Sequence, residues 1–150
     1  MSELSVYLDN CTFNRPFDDQ QKIRIYLETQ AKLYIQYLIT SSKIGLTCSY
    51  MSYFENVDNP HEDRRSSIAE FLKHAKQIVN YDRAEKVEEK ASGIMKYNIR
   101  NKDAIHIACA IVGGCDYFIT TDDDLIKKYN GNEIRICGPI DFITILGGED

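Results

Sequence analysis

The sequence predicts an α/β domain with a mostly parallel central sheet covered by helices on both faces. Three observations carry that expectation. Short apolar runs alternate along the chain with longer helical segments, the pattern of strands joined by crossover helices. The chain is 150 residues long, the size of one ordinary domain, so residues 1–150 are expected to form a single unit. Its 43% hydrophobic and 27% charged residues suit a packed core and leave little room for extended disorder, and no repeat, low-complexity tract or linker interrupts it.

The elements follow in order. Ser5-Val6-Tyr7-Leu8 is a buried strand that halts at Asp9-Asn10, and Asn14-Arg15-Pro16 continues the loop. Asp18 and Asp19 stand where acids favour a helix start. Ile23, Leu27, Ala31, Tyr34 and Leu38 then recur at spacings of three and four, one face of a long amphipathic helix. Ile44 to Cys48 is a second strand, and Ser49 can cap the helix carrying Tyr50, Phe54 and Glu55, which Asn59-Pro60 ends. Ile68, Phe71, Leu72 and Ala75 form the next helical stripe, with Ile78-Val79 as a short third strand. A charged helix runs from about Asp82 to Lys96. Asp103 opens a strongly apolar helix that Gly113-Gly114 ends. A strand at Tyr117 to Thr120, a short helix from Asp123 to Tyr129 and a last strand from Glu133 to Cys137 complete the pattern.

Charge and cysteine content narrow the function. A net charge of −5 argues against a basic nucleic-acid coat, because nonspecific affinity for a polyanion comes from Lys and Arg neutralising phosphates. It leaves room for a nuclease, whose acidic site adds to the deficit. The 5 cysteines are odd in number and scattered without a C-x-x-C pair, which disfavours zinc or a disulfide framework and fits reduced thiols in the cytoplasm. The N-terminus shows no basic and apolar signal pattern, and no apolar run approaches the ~20 residues that span a bilayer. No membrane association is expected.

In an open parallel sheet, ligands bind beyond the carboxyl ends of the strands. Asp9 follows the first strand directly, and Thr120-Thr121-Asp122-Asp123-Asp124 follows the fourth. Asp103 opens the helix leading into that strand, and Glu55 lies on the helix after the second. Clustered carboxylates raise one another's pKa, a conflict that a divalent cation resolves. Oxygen donors without His or Cys favour Mg²⁺ or Mn²⁺, and such an ion suits phosphodiester hydrolysis.

Four segments carry a resemblance: Tyr7-Leu8-Asp9-Asn10, Tyr53-Phe54-Glu55, Asn101-Lys102-Asp103-Ala104-Ile105-His106-Ile107-Ala108, and Phe118-Ile119-Thr120-Thr121-Asp122-Asp123-Asp124-Leu125. In order, they resemble the acidic motifs of PIN domains, a family that includes VapC-like toxins, over essentially the whole chain. The third and fourth are the most specific. The resemblance implies a three-layer α/β/α Rossmann-like fold and a Mg²⁺- or Mn²⁺-dependent endoribonuclease that leaves a 5′-phosphate end without a covalent intermediate. It also implies frequent homodimers and often a small antitoxin partner. Carried over by position, Asp9, Glu55, Asp103 and Asp122 form the acidic metal-binding set, Thr120 supports it, and Asp124 is a further carboxylate. Asn10, Arg15, Arg100 and Lys102 are candidates to hold phosphates of the RNA substrate.

Each acid also has a local reading: Asp9 as a turn residue, Asp103 as a helix-start charge, Glu55 as a solvated residue, and Asp123 or Asp124 as a cap. His106 reads as a buried, hydrogen-bonded residue and Cys11 as a small packed hydrophobe. An aspartate-nucleophile phosphotransferase would need an acid at position 11, where Cys11 stands. A receiver domain would need paired acids after the first strand and a Lys after the last, where Gly138-Pro139 stand. No Gly-rich phosphate loop is present. The remaining alternative is a catalytically silent PIN-like module that binds nucleic acid or protein.

Overall fold

The computed structural model describes residues 3–148. Five strands form one sheet: β1 (Ser5–Leu8), β2 (Gly45–Ser49), β3 (Gln77–Val79), β4 (Tyr117–Ile119) and β5 (Arg135–Cys137). Their order is β3-β2-β1-β4-β5, and every pairing is parallel. The chain therefore winds outward from β1 through β2 to β3, then returns to the other side of β1 for β4 and β5. The switch lies between β1 and β4, where Tyr7 is in register with Phe118 and Leu8 with Ile119.

Among the described residues, eight α-helices surround the sheet: α1 (Asn10–Asn14), α2 (Ile23–Thr40), α3 (Tyr50–Val57), α4 (Glu62–Leu72), α5 (Ala84–Ile94), α6 (Asn101–Val112), α7 (Asp123–Lys128) and α8 (Pro139–Gly148). The two-residue period of the strands divides their side chains between two cores. Val6, Leu8, Tyr117 and Ile119 pack on one face with Ile35, Leu38 and Ile39 of α2, Phe71 and Leu72 of α4, and Phe142 of α8. Tyr7 and Phe118 point the other way, onto Val87 and Ala91 of α5 and Ala104, Ile107 and Ala108 of α6. No helix among the described residues is long and apolar enough to cross a membrane.

Several local expectations are corrected. The segment after Asp9 is not a loop: α1 starts at once, and Arg15–Phe17 adds a 3-10 turn with Pro16 near its start. Asp18 and Asp19 precede the long helix, which begins at Ile23; Asp18 instead pairs with Arg15. The charged helix is shorter than expected, with 3-10 turns at Tyr81–Arg83 and Met95–Tyr97 on either side of α5. The buried face of α2 is rotated from the one the periodicity marks. Ile23 is 70% exposed, whereas Ala31, Ile35, Leu38 and Ile39 are buried together with Glu28 and Lys32. Sequence patterning also gives no sign of α8, which covers the same side of the sheet as α2.

Candidate active site

The carboxyl ends of β1 and β4 lie side by side at the topological switch, and the residues leaving them build the site. Asp9 N–H donates to the Ile119 carbonyl (2.9 Å), extending the strand ladder by one step. Its side chain then caps α1, with Oδ1 accepting from Asn10 N–H at 2.8 Å. Oδ2 accepts from the Thr120 hydroxyl at 2.8 Å and from the Cys11 thiol at 3.4 Å. A buried carboxylate in one rotamer, with a donor on each oxygen, is oriented before any ligand arrives. Thr120 is fully buried and also accepts from Asp122 N–H (3.1 Å), so one hydroxyl links the two acidic segments. Cys11 belongs to this cluster; it is not merely a packed hydrophobe. Its sulfur lies 3.3 Å from Thr120 Oγ1 and accepts from Thr121 N–H. Burial and the nearby Asp9 charge push its thiol up to about 11.

Asp122, rather than Asp123 or Asp124, caps α7: its Oδ1 accepts from Asp124 N–H (3.0 Å) and Leu125 N–H (3.2 Å). Asp123 is drawn away into a two-bond pair with Arg24 of α2, at 2.6 and 2.7 Å. Asp103 stands in the first turn of α6 and faces Asp122 and Asp124 across a cleft of about 50 Å³ that Arg100 and Lys128 also line. Partial burial raises the Asp103 carboxyl above the usual carboxylate range, and the charges of Asp9 and Asp122 raise it further. His106 and Arg100 oppose the rise. Asp103 thus feels the charges of Asp9 and Asp122, and Asp124 shares the cleft with Asp103 and Asp122.

Glu55 is held separately. One of its oxygens bonds His106 Nε2, and Lys102 Nζ lies 3.8 Å from the other. His106 is buried, and its Nδ1 bonds the Tyr7 hydroxyl at 2.6 Å; that hydroxyl also reaches Ser49 Oγ (2.7 Å) and Ser52 Oγ (3.2 Å). Ser49 and Ser52 form the reciprocal capping box of α3, the helix that carries Glu55. Of the basic candidates, Arg15 is engaged by Asp18 (3.0 Å) and the buried Glu28 (3.2 Å). Asn10 accepts from Asn14. Among the described residues, no group of three His, Cys, Asp or Glu side chains stands close enough to hold a metal ion.

No family model matches the chain, and no curated protein matches it in sequence. Solved structures do. VapBC2 from Rickettsia felis, in a structure bound to a DNA fragment from its promoter, superposes with a TM-score of 0.54 at 12% identity, covering 89% of this chain and 97% of that one. FitAcB from Neisseria gonorrhoeae gives 0.56 at 14%, over 90% and 98%. PAE2754 from Pyrobaculum aerophilum gives 0.51 at 12%, over 96% and 90%. The chain has the PIN-domain fold.

Within this PIN fold, the positions where the four motifs place their acids divide into an aspartate group at the switch and a glutamate tied to His106. Two contributors were not expected from sequence. Lys128 lines the aspartate cleft four residues after Asp124, and that one-turn spacing is the signal that relates them. The Tyr7 hydroxyl holds the far side of the His106 ring, and a strand residue buried under a distant helix carries no local sign of such a bond.

Proposed function

We propose that this chain is a Mg²⁺- or Mn²⁺-dependent endoribonuclease. The observation that carries the reading is the electrostatic coupling of Asp103 to Asp9 and Asp122 beside the switch point: after partial burial, their charges are what raises its carboxyl. Such a group is short of positive charge and offers only oxygen donors, which suits a hard divalent cation. Mg²⁺ commonly keeps several waters and takes one or two carboxylates directly, so a set without three converged ligands fits it in donor chemistry and charge. A bound ion would polarise the phosphoryl group and offset charge on the leaving oxygen.

The chain's own residues do the rest. Asp9, Asp103 and Asp122 would hold the ion, with Asp124 as a further carboxylate at the cleft. Thr120 keeps Asp9 in its rotamer through the 2.8 Å bond and ties it to Asp122. Glu55, positioned by His106, faces Lys102 at the edge of the site. Arg100 and Lys128, which line the cleft, and Lys102 beside Glu55 would bind substrate phosphates, with Asn10 next to Asp9 as a further contact. Arg15 is bridged to Asp18 and Glu28, which offset its charge, so it is not assigned a substrate phosphate. The motif resemblance to VapC-like toxins and the likeness to VapBC2 support a small antitoxin as partner, and the motif resemblance alone implies a homodimer as the working form.

Cleavage of a structured RNA pool by purified protein, with Mn²⁺ or Mg²⁺ and with a chelator, tests the proposal. Metal-dependent cleavage that disappears in Asp9→Asn is the expected result. A second reading, a PIN-like binding module without catalysis, draws on the commitment of Glu55 to His106 and on the absence of three converged ligands among the described residues. Folded protein that neither binds metal nor cuts RNA would establish that second reading.

A further inference from the structure

On the opposite core from Tyr7 and His106, Lys32 of α2 is 7% exposed. Its ammonium donates to Gln36 Oε1 at 2.7 Å and lies 5.4 Å from the centre of the Phe71 ring. No carboxylate among the described residues pairs with it, and burial alone pulls it down to about 8. Buried charges in proteins are ordinarily paired, because an isolated one keeps the full cost of leaving water. An ammonium has three N–H donors, and Gln36 takes one.

The place where a counter-ion would stand is open. A cavity of about 150 Å³ lies between α2, α4 and the Arg15–Phe17 turn. Phe13, Phe17, Ile68 and Phe71 wall it, and Lys32 and Gln36 supply its polar side. A protein cavity of about this size accommodates a benzene ring. Arg64 stacks over Phe17 at 5.1 Å, adding a second positive charge near the aromatic wall. None of the lining residues belongs to the aspartate cleft.

We propose that this cavity binds a small carboxylate on an aromatic or branched aliphatic body. The carboxylate pairs with Lys32, and the apolar body lies among Phe13, Phe17 and Phe71. Charge selects an anion, the two free N–H donors select an acceptor with two oxygens, and the aromatic walls select an apolar body.

Benzoate and its neutral counterpart benzamide are the probes, titrated near neutral pH into parent protein and Lys32→Met while backbone amide shifts are followed by NMR. The expected result is saturable benzoate binding, with shifts centred on Lys32 and Phe71. Benzamide should bind roughly tenfold more weakly, as should benzoate to the variant, a loss of about 1.4 kcal/mol. Lys32→Met removes an unpaired buried charge at similar volume, so the variant should fold. Should it fail to, Ser67→Trp tests the same point, because Ser67 is exposed and lines the cavity, and a bulky ring there closes it. Equal binding of benzoate and benzamide would overturn the proposal. So would benzoate affinity unchanged in a folded variant, or no saturation up to about 10 mM, a range in which even millimolar sites fill. Metal-dependent RNA cleavage in Lys32→Met should match the parent, so failure here leaves the nuclease reading untouched.

Discussion

Asp9 shows how one side chain can serve fold and site together. Its Oδ2 is held by Thr120 and Cys11, while its Oδ1 caps α1 and keeps an acceptor site for a further partner. Asp122 does the same through Oδ1 at α7, leaving Oδ2 without a helix-capping role. Asp103 has no such support: partial burial and two like charges disfavour its ionised form. A carboxyl raised in the folded state lowers stability once it ionises, so at neutral pH without a cation its charge is a net cost. Asp103→Asn should therefore raise the melting temperature of chelated protein, by about 2 °C for a gain below 1 kcal/mol in a domain of this size. The same variant should lose most of the thermal shift produced by Mn²⁺. Differential scanning fluorimetry reads both, and a lower melting point in chelator would show that the Asp103 charge is not repelled.

At the scale of elements, α6 positions Asp103 and His106 because it can lie very close to the sheet. Ala104, Ala108 and Ala110 on its buried surface are small, and Gly113 ends it where an added Cβ would be crowded. A Cβ at Gly113 would stand 3.0 Å from both Thr47 Cγ2 and Val79 Cγ2 and 3.2 Å from the Cys109 carbonyl. Gly114 follows with φ at 73°, the left-handed turn that glycine accepts without strain. Gly113→Ala should thus cost about 1–3 kcal/mol by overpacking, seen as a lower urea midpoint at unchanged slope. An unchanged midpoint would mean that Thr47 and Val79 move aside freely. The long helix α2 shows where patterning by itself misleads. The series 23, 27, 31, 34, 38 and the buried set around Ala31, Ile35, Leu38 and Ile39 share two positions, so periodicity alone does not choose between them. Packing against α8 and the sheet chooses, and it leaves Tyr34, Tyr37 and Leu27 exposed.

For the whole molecule, the burial of thiols sets how stability responds to alkali. Burial is the main cause that pushes Cys11, Cys48, Cys109 and Cys137 from 9.0 up to about 11. Between those values the unfolded chain has lost protons that the folded chain keeps, so stability falls as pH rises. Lys32 acts in the opposite sense, since its folded value of about 8 lies below the ordinary 10.5, so its contribution to stability grows over that interval. Four thiols outweigh one amine, and urea midpoints should decline steadily from about pH 9 toward 11. A flat profile there would show that the thiols titrate alike in both states.

The order of strands and helices, the parallel sheet and the acids at the strand ends were legible from sequence. Each depends on local information: hydrophobic period, caps such as Ser49, and breakers such as Asn59-Pro60. That Asp9 and Asp122 follow strand ends was equally plain, because a strand end is a local event, although the sequence offered Asp123 or Asp124 as the cap of α7 and read a loop where Asp9 caps α1. Only the tertiary structure decided which of these acids interact. It joined Asp9 to Thr120 across 111 positions, tied Glu55 to His106, gave Asp123 to Arg24, and left Lys32 buried beside a cavity with no counter-ion among the described residues. Such pairings come from how distant segments pack, which short-range periodicity does not encode.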